Sequence, residues 1–254
     1  MLSRAELEGY ARTLTQGNVG QAETLYLQDI VLLSLSRETA DEVVFKGGTA
    51  LLKFYQLDRF SEDLDFSAHR PVEFSDIVDI AVRALETYGA SVAERSTDET
   101  DQAFHTRLGI EGPLYTGERR SLSFLRLEIN KGSTVSRIRT PRYTPQFSDI
   151  PTFDLAVLDE AEILAEKLRA LVTRREPRDL YDIYHLLHTS VDIDPALVQE
   201  KLEYYERTFD PDRMLESAEA LESSWGTLGP LVYSDLPPFE DVLGDLERAL
   251  AELD

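Results

Sequence analysis

The chain predicts an α+β domain followed by a helical one, and three observations carry this. Strand-type patterns crowd into residues 40–157, apolar periodicity is helical from there onward, and a strand–diglycine–helix–strand unit fills 42–66. The boundary falls near 158, so residues 1–158 form the sheet-bearing domain with its N-terminal helices and 159–254 the helical domain.

Residues 5–15 and 20–37 have helical spacing, with Leu25, Tyr26, Ile30, Leu33 and Leu35 forming an apolar stripe. Val43, Val44 and Phe45 form a strand that ends at Gly47-Gly48, and Thr49 opens a short amphipathic helix. Asp63 to Phe66 is the next strand. Ser75 is placed to cap a helix running to about Tyr88. Strands follow near 91–95, 103–111 and 121–130, the last alternating most clearly. Residues 131–146 hold four basic residues (Lys131, Arg137, Arg139, Arg142) and two prolines, which predicts an irregular, locally basic loop. A short strand near 152–157 precedes helices that begin at Glu160 (capped by Asp159), Pro177 and Pro195, with two more near 211–224 and 238–252.

Composition narrows the function classes. The 254 residues carry 26 basic and 48 acidic side chains, a net charge of −22, and no cysteine. Disulfides, thiolate zinc sites and a cysteine nucleophile are therefore excluded. No apolar run approaches the roughly 20 residues of a membrane span. The N-terminus lacks a signal-peptide core, which predicts a cytoplasmic protein. Only five of the basic residues are lysines. An acidic, lysine-poor surface suits life in very high salt, where screening removes self-repulsion; the alternative is a surface for a basic partner. Such a charge opposes nucleic-acid binding in dilute buffer but not in molar salt, where the Debye length is about 3 Å.

The segment FKGGTALLKFYQLDRFSEDLDFS (45–67) concentrates the chemistry. Asp63 and Asp65 lie two apart on a strand and share a face. Like charges so placed repel unless a cation sits between them, and oxygen ligands of this kind suit Mg²⁺ or Mn²⁺. The third metal-binding carboxylate is expected from Glu128, which alternation puts on one face with Phe124, Arg126 and Asn130, opposite Leu125, Leu127 and Ile129. Glu128 as a charge that protects an edge strand is the plainer alternative. Gly47, Gly48 and the Thr49 hydroxyl would cradle nucleotide phosphates at a helix N-terminus. Lys46 and Arg59 either add charge there or are ordinary surface residues.

A second cluster spans Glu160 to Leu187. Lys167 lies beside the apolar face of the first helix, where it either snorkels to solvent or reaches an anion. Asp179 and Asp182 share a face of the next helix; they are either first-turn acids favoured by the macrodipole or companions of Lys167 in one cleft. His185 and His188 read as helix-surface residues.

Both blocks, GGT (47–49) with RFSEDLDF (59–66) and EKLRA (166–170) with RDLYD (178–182), resemble the nucleotidyltransferase AbiEii/AbiGii toxin family. The likeness covers most of residues 20–190. It implies a DNA-polymerase-β-like mixed sheet with flanking helices and a helical C-terminal half. It also implies the toxin role of a type IV toxin–antitoxin (abortive infection) system, with nucleotide transfer from NTP to RNA at a tRNA 3′ end. A cognate antitoxin acting without a stable complex is implied as well. By position, Gly48 and Thr49 match the phosphate turn, Asp63 and Asp65 the metal pair, and Lys167, Asp179 and Asp182 the later motifs. The rivals are an NTP-dependent phosphotransferase acting on a protein such as the antitoxin, and a non-catalytic nucleotide-binding module.

Overall fold

The computed structural model describes residues 1–132 and 134–253. The chain divides into two units. The first comprises residues 1–54, 60–132 and 138–157; the second comprises 55–59, 134–137 and 158–253.

The first unit is built on a seven-stranded mixed sheet. Along the chain come α1 (Arg4–Leu14), α2 (Val19–Glu38), β1 (Val43–Lys46), α3 (Gly47–Phe54), β2 (Asp63–Ala68), α4 (Phe74–Thr87), β3 (Ser91–Glu99), β4 (Ala103–Glu111), β5 (Ser123–Asn130), β6 (Ile138–Arg139), β7 (Arg142–Tyr143), β8 (Phe153–Asp154) and β9 (Val157–Leu158). The sheet order is β3-β4-β5-β2-β1-β9-β6, while β7 and β8 form a separate ribbon. Neighbours are antiparallel at β3/β4, β4/β5 and β1/β2 and parallel at β5/β2 and β1/β9.

Burial alternates along the central strands. Leu125, Leu127 and Ile129 are buried, whereas Arg126 is exposed and Glu128 and Asn130 half-buried. The apolar side packs on α2 and α4, and the polar side is left for chemistry. The stripe expected on α2 proves to be a nearly all-round buried helix. Its polar residues survive inside by pairing: Asp29 accepts from Lys53 at 2.6 Å, and Gln28 donates to the Ser61 carbonyl.

Three local expectations need correction. Ser75 lies inside α4, whose N-cap is Glu73. The loop at 131–146 contains the strands β6 and β7, which at two residues each are too short to show a period. The strand near 152–157 is split into β8 and β9.

The second unit contains α5 (Glu160–Thr173), α6 (Pro177–His188), α7 (Pro195–Glu203), α8 (Pro211–Glu219), a 3-10 segment (Glu222–Leu231) and α9 (Phe239–Ala251). Asp159, Asp194 and Asp210 cap α5, α7 and α8 through their side chains, and proline occupies the first turns of α6, α7 and α8. Two short segments that precede residue 158 join this unit. Segment 134–137 is held by the buried Glu162 carboxylate, which accepts from the Ser136 amide at 3.0 Å and pairs with Lys201. Segment 55–59 is held by Tyr55, whose hydroxyl donates to the Leu158 carbonyl at 2.7 Å, and by Asp58 and Arg59.

Candidate active site

The site begins where β1 gives way to α3. Gly47 has φ +75, a conformation that disfavours any residue with a Cβ. A Cβ at Gly47 would overlap an Asp65 carboxylate oxygen and lie 3.1 Å from Cβ and Cγ of Asp65. The diglycine therefore does more than turn the chain: it leaves the space that the Asp65 carboxylate fills. Gly48 and Thr49 continue into the first turn of α3, and Lys46, nearly buried, faces Asp65 across the β1/β2 ladder.

Asp63 and Asp65 are half-buried, while Leu64 and Phe66 between and beyond them are buried. The two carboxylates therefore share the polar face, as the spacing predicts. On the parallel neighbour β5, Arg126 sits opposite Asp63 and Glu128 opposite Asp65. This register brings Glu128 beside the aspartates as the third acid. Glu128 is on an interior strand, so the edge-protection alternative does not apply.

Cross-strand neighbours share a face, so the polar side of the sheet carries two transverse rows. One runs Asp98, His105, Glu128, Asp65, Lys46; the other runs Ser96, Arg107, Arg126, Asp63. Most of these residues line one pocket of about 320 Å³. Glu128 leans on His105, with Oε2 3.4 Å from Nδ1. The three acids are adjacent rather than convergent: among the described residues no three acidic or imidazole side chains already meet at a metal position. An all-carboxylate oxygen set beside a cradle that a Cβ would fill nevertheless fits a hard divalent ion.

The Thr49 hydroxyl departs from expectation. Thr49 is fully buried, and its hydroxyl is 2.8 Å from the Ser61 hydroxyl and also bonded to the Asp63 carbonyl. It ties α3 to the start of β2 instead of facing phosphate. His105 and Arg107, and Arg126 beyond its place on the Glu128 face, carry no role that the sequence predicts. Alternation on β4 and β5 puts them on the polar face, but only the strand register shows that they stand beside the aspartates.

The second cluster is a buried ionic network within the helical unit. Lys167 Nζ lies 3.1 Å from Asp179 and 2.6 Å from Asp182. Arg59 forks onto both oxygens of Asp182 at 2.7 Å, and Arg174 does the same to Asp179. Burial alone would raise both carboxyls, but the Arg59 and Lys167 charges at Asp182, and Lys167 and Arg174 at Asp179, hold them below the ordinary range. Lys167 thus neither snorkels nor lies open, and Arg59 is buried rather than a surface residue. His185, expected on the helix surface, is half-buried and bonds the Tyr55 carbonyl at 2.8 Å. A larger depression of about 490 Å³ lies between the ends of α6 and α9. Its charged groups pair with one another, as at His188–Asp245 and Arg248–Asp245, and it brings together no set of acids beside a glycine turn.

The sequence matches the family described as "Nucleotidyl transferase AbiEii toxin, Type IV TA system" over residues 31–245. Among solved structures the chain is similar to MenT4, the nucleotidyltransferase toxin Rv2826c from Mycobacterium tuberculosis H37Rv. That likeness has a TM-score of 0.69 and 22% identity, covering 100% of this chain and 91% of the other. It is also similar to a putative nucleotidyltransferase from H. pylori (TM-score 0.61, 20% identity, 91% and 92% coverage). JHP933 from Helicobacter pylori follows at TM-score 0.59 and 21% identity, with 90% and 88% coverage. At these identities the likeness establishes the fold. A comparison with curated proteins found no match.

Proposed function

This chain belongs to the AbiEii family of nucleotidyltransferase toxins of type IV toxin–antitoxin systems, and on that footing we propose that it transfers NMP from an NTP to an RNA hydroxyl, a tRNA 3′ end. The observation that carries this reading is the register placing Glu128 beside Asp65, with Asp63 on the same face and Gly47 opening the space Asp65 occupies.

Asp63, Asp65 and Glu128 would hold Mg²⁺ or Mn²⁺. When bound, the metal would stabilise charge developing on the phosphate oxygens. Gly47 and Gly48, at the N-terminus of the eight-residue α3, offer backbone amides to the triphosphate. Thr49 acts through the Asp63 carbonyl, fixing where β2 begins. The acceptor oxygen bonds the α-phosphorus while its proton passes to Glu128, where that carboxylate is the base rather than a metal ligand, or to solvent; the bond from that phosphorus to the β-phosphate oxygen breaks, and pyrophosphate leaves. The resemblance assigns Lys167, Asp179 and Asp182 to the same activity; within the helical unit Asp179 and Asp182 hold the Lys167 ammonium, and Arg59 holds Asp182. A cognate antitoxin that opposes this activity without a stable complex, a cytoplasmic location and a high-salt habitat complete the proposal. Among the described residues no helix is long and apolar enough to cross a membrane.

The test is incubation with total tRNA and each NTP in high-potassium buffer containing Mg²⁺ or Mn²⁺. Label from α-³²P NTP should enter RNA with the wild type and vanish with Asp63→Asn or Asp65→Asn. Wild-type labelling by either variant overturns the proposal, and label passing only from γ-³²P NTP onto protein identifies a phosphotransferase instead.

A further inference from the structure

We propose that Arg107 and Arg126 form a clamp for a backbone phosphate of the acceptor RNA strand. The inference rests on the transferase reading above and adds the place where the acceptor is gripped.

The two arginines are directly opposite each other on β4 and β5, and both are exposed. Like charges so paired destabilise a sheet. In a chain with 48 acids and 26 bases, the ordinary fate of an arginine is a carboxylate partner, as at Arg95–Asp79 or Arg119–Glu94 on the same sheet. Among the described residues neither Arg107 nor Arg126 is in such an ion pair, although the Arg107 charge is felt by Glu94, whose carboxylate is held by Arg119. Arg107 instead lies over the Phe124 ring, 3.5 Å from its centroid, which holds the guanidinium in one place. Two guanidiniums on one face, one of them braced by an aromatic ring, suit a phosphodiester by fork geometry.

Their position decides which phosphate. Crossing the sheet from β1 to β4, one meets the glycine turn after Lys46, then Asp63 on β2, Arg126 on β5 and Arg107 on β4. The two aspartates on β2 thus stand between the glycine turn and the arginines, with Glu128 on the same strand as Arg126. In an in-line displacement the leaving pyrophosphate and the attacking oxygen lie on opposite sides of the α-phosphorus. With the triphosphate at the glycine turn, the attacking strand comes from the arginine side, and the clamp meets it there. In molar salt long-range attraction is screened, so short directional contacts of this kind are what remains to hold RNA.

The simpler role for the pair is to offset the neighbouring carboxylates. Arg107→Gln/Arg126→Gln and Arg107→Lys/Arg126→Lys separate the two. The readouts are filter binding of 5′-labelled total tRNA without NTP, and KM for tRNA and for NTP. Both side chains are exposed, and a thermal melt checks folding; the lysine pair keeps the charge. The clamp predicts a loss of about tenfold or more in tRNA affinity and a matching rise in tRNA KM for the glutamine pair, with NTP KM within about twofold. The slope of log affinity against log[KCl] should fall by about 1 to 2. The lysine pair should be intermediate. Unchanged tRNA binding, or an effect confined to NTP KM, overturns the clamp. If the wild type binds tRNA but transfers nothing, the transferase reading falls while the binding comparison still decides the clamp. If both variants transfer NMP with unaltered KM, the clamp falls and the transferase reading stands.

Discussion

Replacing Gly47 by alanine makes the sharpest demand on the site. Two costs can be worked from the structure. The backbone at φ +75 charges any L side chain about 1–2 kcal/mol. The new Cβ also overlaps the Asp65 carboxylate and presses on its Cβ and Cγ at 3.1 Å, so Asp65 has to move by several tenths of an ångström or more. The first cost is small against a total stability of about 5–15 kcal/mol, so the variant folds and melts a few degrees lower. The second falls on a proposed metal ligand, and a misplacement of about 1 Å costs on the order of 100-fold in rate. Gly17→Ala is the matched control: its φ is +87, yet nothing lies within 4 Å of the new Cβ. The assay is NMP incorporation alongside thermal melting for both variants. Both should lose similar stability, and only Gly47→Ala should lose about two orders of magnitude in kcat. Equal activity in the two variants would refute the claim that Gly47 exists to seat Asp65.

The Thr49 hydroxyl and the buried ion network supply the other tests. Thr49→Val removes the hydroxyl's bonds to the Asp63 carbonyl and the Ser61 hydroxyl, at about 1–3 kcal/mol. It should lower kcat with NTP KM nearly unchanged, while Thr49→Ser restores both; a selective rise in NTP KM would return the hydroxyl to the phosphate. Asp182→Asn leaves Arg59 and part of the Lys167 charge uncompensated in a buried site, an expected loss of about 3–5 kcal/mol by urea unfolding. Less than 1 kcal/mol would mean the network is slack. Because Asp179 and Asp182 are depressed below the ordinary carboxylate range, their stabilisation is present above the unfolded pKa of about 4. It fades only as pH falls through the lower folded values. A pH series of melts should therefore show their contribution intact from pH 7 to about 4 and fading below that, with Asp182→Asn already destabilised at pH 7.

What the sequence made legible was whatever has a strong period or a marked end. The alternation of Ser123–Asn130 gave both the strand and the face of Glu128, and Asp159, Pro177 and Pro195 marked helix starts that the structure keeps. Two-residue strands such as Ile138–Arg139 have no period to read. The pairing of Asp65 with Glu128 joins residues more than 60 positions apart, and nothing local encodes it. Side-chain direction was equally hidden at Thr49, because a threonine that opens a helix can turn outward to an anion or inward to the next strand. Arg59 was unreadable for a similar reason: its partner Asp182 is 123 residues away, and segment 55–59 leaves the sheet unit to which its neighbours belong.

The two acidic motifs are physically different, although each pairs aspartates two or three residues apart. Asp179 and Asp182 are fully buried, and each is matched by an arginine fork and a shared lysine, so their oxygens are committed and their pKa values lowered. Neither has an oxygen surface to offer a metal; what they determine is the placement of the Lys167 ammonium. Asp63 and Asp65 are half-exposed on a pocket wall, next to a third acid and next to a backbone that has given up a Cβ to make room. Grouping like charges on one face costs stability unless a ligand repays it. The helical unit offsets that cost by internal pairing, whereas in the sheet unit Asp98, Glu128 and Asp65 share one row with His105 and Lys46, and Asp63 shares the other with Arg107 and Arg126. Asp63 and Asp65 variants therefore report on metal and turnover with little change in melting. Asp179 and Asp182 variants report first on stability.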